Sequence, residues 1–215
     1  MQEKHIKVEK TARYFQLGEA ASVIKQVWFV CHGYGQLGSY FLKHFESLDN
    51  GERLIVAPEG LSRFYLNGFY GRIGASWMTR EGRLNDIKDY VLYLDAIHQQ
   101  VFEGVDRSAV DVSVLGFSQG TATASRWAAL GDVKVDQLIL WAGLLPPELI
   151  EQNRLEIFQK LKLMLVAGEN DEYASEEKIL EQENHLKENS VPYKLIKFAG
   201  GHEMDSQVLK QIAAG

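Results

Sequence analysis

Only one cysteine, Cys31, occurs in 215 residues. That excludes an intramolecular disulfide and a cysteine-rich zinc site, and it suits a reducing compartment. Prolines are as scarce, with four at positions 58, 146, 147 and 192, and none interrupts a run that reads as helix or central strand. No apolar run approaches the ~20 residues needed to cross a bilayer, so integral membrane association is not expected. Positive charge is in deficit, 23 Lys+Arg against 29 Asp+Glu, with no block of like charges. Phosphate backbones and anionic lipid therefore find no electrostatic footprint, and nucleic acid is not an expected partner. The opening residues MQEKHIKVEKTARYF lack the apolar stretch of a secretory signal, which makes cytoplasm the expected location.

What is present reads as one α/β domain over residues 1–215. Short apolar runs at Val27–Cys31, Leu54–Ala57, Val110–Phe117, Leu138–Trp141, Leu163–Ala167 and Tyr193–Phe198 suit buried strands. Between them, Leu84, Ile87, Val91, Leu94, Ile97 and Val101 recur by three or four and predict one face of a helix. Thr121–Leu130 and Ser175–Asn189 are further helical segments, the latter with a charged, solvated face. This alternation predicts a mainly parallel sheet covered on both faces. His5–Leu17 alternates polar and apolar residues and predicts an antiparallel edge strand turning at Gly18. Pro58–Gly82 has no clear period, five glycines and a concentration of aromatics, and reads as a long functional loop.

Gly116-Phe117-Ser118-Gln119-Gly120 matches G-x-S-x-G between an apolar strand and an Ala-rich segment. In that setting the serine stands on a strained turn above a helix N-terminus, where backbone N–H groups favour negative charge. A serine hydroxyl is a weak nucleophile and needs a base, which in turn needs an orienting acid. His202, in a glycine-flanked loop after the last strand, is the best base. His5, His44, His98 and His185 sit in edge-strand or charged helical contexts. After Leu163–Ala167 a polar loop offers Glu169 and Asp171, of which Asp171 is preferred. The order Ser118, Asp171, His202 is that of an α/β-hydrolase triad, each member at a strand's carboxyl end.

A tetrahedral intermediate needs donors aimed at its oxyanion. The N–H of Gln119 is one candidate, and that of Tyr34, in Cys31-His32-Gly33-Tyr34-Gly35, is the second. Cys31 and His32 are adjacent on a strand and point to opposite faces, so they do not form a nucleophile–base pair. A buried thiol and a loop-bracing histidine are the readings that remain. No metal site or cofactor is expected.

These motifs resemble those of the phospholipase/carboxylesterase family of α/β-hydrolases, which includes acyl-protein thioesterases and small carboxylesterases. The resemblance rests on His32–Gly35, Gly116–Gly120 with its glutamine, Gly168–Asp171 and Gly201–Glu203. It implies an α/β-hydrolase core without a cap domain, Ser118 as nucleophile, Asp171 as orienting acid, His202 as base, and Tyr34 and Gln119 as oxyanion donors. Ala75-Ser76-Trp77 is similar to a family element whose tryptophan lines the acyl side of the cleft; a core tryptophan is the alternative. Leu115, Tyr34 and Thr121 depart from the usual pattern around these motifs.

The expected activity is cleavage of carboxylic esters or thioesters, with a small-molecule or lipid-like ester as substrate. Phe64, Tyr65, Phe69, Tyr70 and Trp77 offer an apolar substrate wall. The exposed members of that set equally suit a homodimer contact. The rival readings are a peptidase or dienelactone-type hydrolase, the latter commonly with cysteine at the elbow, and a non-catalytic binding protein on the same scaffold.

Overall fold

A computed structural model describes residues 1–21, 23–151 and 155–214. Its strands are β1 (Tyr14–Leu17), β2 (Gln26–Cys31), β3 (Arg53–Pro58), β4 (Ser62–Tyr65), β5 (Ile73–Ser76), β6 (Asp111–Phe117), β7 (Gln137–Trp141), β8 (Lys162–Gly168) and β9 (Tyr193–Phe198). The α-helices are α1 (Gly38–Phe41), α2 (Arg83–Phe102), α3 (Gln119–Leu130), α4 (Pro147–Glu151), α5 (Glu176–Glu188) and α6 (Ser206–Ala214). Seven strands form one sheet in the order β1-β3-β2-β6-β7-β8-β9, and β4 and β5 form a separate hairpin.

Only β1 runs antiparallel, pairing with β3 at the edge; every other pairing in the large sheet is parallel. Central strands read as continuous apolar runs because both faces are covered. Along β2, Val27, Phe29 and Cys31 join the core beneath α2 and α3, while Trp28 and Val30 join the opposite core with α6. The pleat thus divides one run between two cores.

Two expectations are corrected. The edge strand covers only Tyr14–Leu17, and residues 1–13 are outside regular structure. Ile6 and Val8 are both exposed, so their alternation with charge marks no buried face. The 58–82 stretch is not irregular throughout: Ser62–Tyr65 pairs with Ile73–Ser76, which no clean alternation announced. The short α1 and α4, and α6 near the end of the chain, were not anticipated; Leu209 and Ile212 bury α6 against the sheet.

The strand order reverses between β2 and β6, which pair so that Cys31 lies beside Gly116. In an open parallel sheet the crevice at the carboxyl ends of two such strands is where ligands bind. Both glycine-containing turns, His32–Gly35 and Gly116–Gly120, emerge there.

Behind the sheet, α2 and α3 are cross-linked by the buried Asp95, which accepts from the Trp127 indole N–H at 2.8 Å and the Asp132 backbone N–H at 3.0 Å. Trp127 has no solvent exposure, so removing the acceptor orphans its N–H. Asp95→Ala is expected to cost about 1–3 kcal/mol in urea unfolding. A change within error would mean that water replaces the carboxylate.

Candidate active site

Ser118 is the first residue past β6, with φ 54° and ψ −117°, a region that L side chains avoid. The turn is enforced by close packing. A Cβ at Gly116 would overlap the Gly120 carbonyl, and one at Gly120 would overlap the carbonyl of Cys31. The Ser118 N–H donates to Trp141 O at 2.9 Å, and its carbonyl accepts from the N–H and hydroxyl of Thr121 at 3.0 and 2.7 Å. Thr121, unusual at this position, thereby closes the turn itself. Leu115 is buried among the apolar side chains of the opposite core.

The structure brings Ser118, His202 and Asp171 within hydrogen-bonding reach. His202 Nδ1 lies 2.9 Å from Asp171 Oδ2 and 3.1 Å from Oδ1, and Nε2 lies 2.8 Å from Ser118 Oγ. The carboxylate can only accept, which places the imidazole proton on Nδ1 and leaves Nε2 to accept from the serine. Phe117 and Tyr173 flank the imidazole, with ring centroids 5.1 and 4.7 Å away. Tyr173 is itself 71% exposed.

Asp171 is buried, and burial opposes its charge. The Ala174 and Tyr173 N–H groups at 3.0 and 2.8 Å, together with His202, outweigh that and hold the carboxyl below its ordinary value. Glu169, the alternative acid, is exposed. The loops bearing Asp171 and His202 meet because Gly168 lacks a Cβ, which would overlap the carbonyls of Gly200 and Gly201.

Tyr34 lies in the turn after β2. His32 beneath it is buried and, as its environment requires, neutral: burial lowers its basicity, Nδ1 faces Gly33 O at 2.8 Å and Nε2 accepts from Gly60 N–H at 2.9 Å. The histidine braces the loop. Cys31 is fully buried, and burial pushes its thiol far up. Among the described residues, neither the Tyr34 nor the Gln119 N–H is taken up by a protein acceptor, as an oxyanion site requires.

The aromatic set divides. Phe64 packs against the Tyr34 ring at 5.2 Å, bringing the hairpin to the site, whereas Tyr65, Phe69 and Tyr70 are exposed. Trp77 is corrected from wall to core. It is 2% exposed, its ring packs 4.9 Å from His32, and its indole N–H donates to His32 O at 2.8 Å. A buried indole whose polar atom is already bonded has nothing left for a ligand.

Sequence reasoning missed the side chain of Gln119, which reaches across to Ser76, Trp77 and Met78. The glutamine inside the elbow motif was the available signal, but only its backbone was used. Among the described residues, no three His, Cys, Asp or Glu side chains are grouped to hold a metal, and no helix is long and apolar enough to cross a membrane.

Residues 74–208 match the family described as "Serine hydrolase (FSH1)". No curated protein matches the sequence. Among solved structures, the fold resembles acyl-protein thioesterase 2 of Zea mays, with TM-score 0.75 and 17% identity over 95% of this chain and 97% of that one. It also resembles esterase PE8, with TM-score 0.72 and 21% identity over 95% and 97% of the two chains. A Bacillus cereus carboxylesterase gives TM-score 0.66 and 15% identity over 94% and 92%. At such identities the likeness establishes the α/β-hydrolase fold.

The depressed Asp171 carboxyl has a pH signature. Its folded value lies below the unfolded one, so the ionised group adds stability that is complete above about pH 4 and disappears as pH falls through the lower folded value. The stability gap between the native chain and Asp171→Asn, measured by urea titration from about pH 5 downward, is expected to shrink below about pH 4. A gap that holds steady into strong acid would mean that Asp171 is not stabilised as a carboxylate.

Proposed function

The chain belongs to the FSH1 serine hydrolase family, and on that footing we propose that it cleaves carboxylic esters or thioesters through an acyl-enzyme on Ser118. The observation that carries this reading is the 2.8 Å contact of Ser118 Oγ with a His202 whose other nitrogen faces the buried Asp171 carboxylate. All three residues fall inside the segment that matches the family.

The geometry supports the following chemistry. Ser118 Oγ attacks the carbonyl carbon as His202 Nε2 takes its proton, and Asp171 stabilises the resulting imidazolium while fixing its orientation. The oxyanion is received by the N–H groups of Tyr34 and Gln119. Collapse expels the alcohol or thiol with the proton from His202. Water, deprotonated by the same imidazole, then releases the acid.

The substrate class is a small-molecule or lipid-like ester. The exposed rings of Tyr34, Tyr173, Phe69 and Tyr70 support an apolar approach to an open site. A single buried thiol and an acidic balance fit a cytoplasmic protein. Were Phe69 and Tyr70 to hold a homodimer instead of substrate, removing both would change the sedimentation behaviour and spare the dependence on acyl length.

A fluorophosphonate probe is expected to label the native chain once and leave Ser118→Ala unlabelled; persistent labelling would end the nucleophile assignment. Asp171→Asn is expected to lower kcat by up to ~10⁴-fold on a nitrophenyl ester, the scale of the equivalent change in serine proteases. Near-native turnover would assign the orienting role elsewhere.

A further inference from the structure

β5 ends at Ser76, and the chain then runs beside the elbow outside any strand. Among the described residues, the Trp77 N–H and Met78 C=O have no backbone partner, although Ser76 and Trp77 are buried. The Gln119 side chain fills the gap as an edge strand would. Its Oε1 accepts from Trp77 N–H at 3.2 Å, and its Nε2 donates to Met78 O at 2.9 Å. Only this orientation of the amide serves both groups, since one can only donate and the other can only accept. Ser76 Oγ lies within 3.3 Å of the same amide and donates to Met78 O at 2.8 Å.

The other end of this segment is fastened to the turn that carries Tyr34. Gly35 N–H donates to Ala75 O at 2.9 Å, Ala75 N–H donates to Gln36 O at 3.1 Å, and Trp77 Nε1 donates to His32 O at 2.8 Å. Gly74 lies so close that a Cβ would overlap the Gly35 carbonyl. Residues 74–78 therefore form a strut between two turns, each bearing one N–H without a protein acceptor among the described residues. One attachment is backbone and indole; the other is the carboxamide of Gln119.

We propose that the Gln119 side chain is a positioning residue that sets the spacing of the Tyr34 and Gln119 backbone amides by locking the elbow to the Ala75–Met78 strut. The inference rests on the assignment of those two amides as oxyanion donors. An oxyanion site works only when its donors already stand where the charge will develop, so a loosened strut costs the transition state more than the bound substrate.

The test is steady-state kinetics on a nitrophenyl ester across about pH 4 to 9, a span that reaches the ordinary glutamate range, using the whole chain as native, Gln119→Ala, Gln119→Glu and Ser118→Ala. Gln119→Ala is expected to lower kcat by ~10²-fold with KM little changed, the scale of losing one oxyanion donor. Gln119→Glu keeps the shape of the side chain. When ionised it accepts from Trp77 but sets a carboxylate against Met78 O; when protonated it regains the donor. Its kcat relative to native, taken at each pH, is therefore expected to rise toward unity as pH falls. A merely structural glutamine gives no such trend.

A flat ratio for Gln119→Glu, or near-native kcat in Gln119→Ala, overturns the proposal. Should Gln119→Ala melt below the assay temperature, the pH trend of Gln119→Glu decides alone. Activity surviving in Ser118→Ala would defeat the underlying reading instead. A dead Ser118→Ala beside an indifferent Gln119 would defeat only this inference.

Discussion

Ser118 is held in a backbone conformation that costs of order 1–3 kcal/mol for a residue with a side chain, and the parts of the site are arranged so that it has no alternative. Three hydrogen bonds close on its backbone, from its own N–H to Trp141 and from the N–H and hydroxyl of Thr121 to its carbonyl. At about 0.5–1.5 kcal/mol net each, they are of the same size as the strain. Sterics then supply the direction. With Gly120 against the Cys31 carbonyl and Gly143 against Thr121, the elbow has no space in which to relax.

That constraint fixes more than one hydroxyl. Because β6 pairs with β2 where the sheet order reverses, a turn forced tight after one strand lies beside the turn after the other. β7 contributes the carbonyl that anchors Ser118, and its Trp141 indole donates to Glu203 O at 2.8 Å, next to His202. β8 leads into Asp171, whose charge survives burial only because backbone N–H groups and an imidazole surround it. The sheet thus acts as a rigid rack, and short turns spend their conformational freedom on geometry.

Much of this was readable from residues. The runs around Phe29, Val114 and Leu140 read as central strands because they are almost wholly apolar, with Ser113 the one polar residue between Val112 and Phe117. Gly116 and Gly120 declared a close crossing, and the glycines around His202 declared another. The losses have physical causes. Pairing of Phe64 with Gly74 depends on a hairpin that carries no alternation, since one strand is largely exposed and the other is buried by packing on the Tyr34 turn. Trp77 looks the same in sequence whether it faces a ligand or His32. Gln119 was read through its backbone because local spacing cannot reveal a side chain that substitutes for a strand over 40 residues away. Ile6 and Val8 alternate with charge without any neighbouring strand, so period alone misled.

Cys31 closes β2 directly beneath the elbow, its carbonyl against Gly120 and its side chain buried in the core beneath α2 and α3. Thiols react as thiolates, and burial has put that form out of reach while the strands stay together. The chain therefore carries a built-in timer. A thiol reagent meets the protein's only thiol when the centre of the sheet parts, so its rate of uptake measures how long the closed site lasts, with no substrate present.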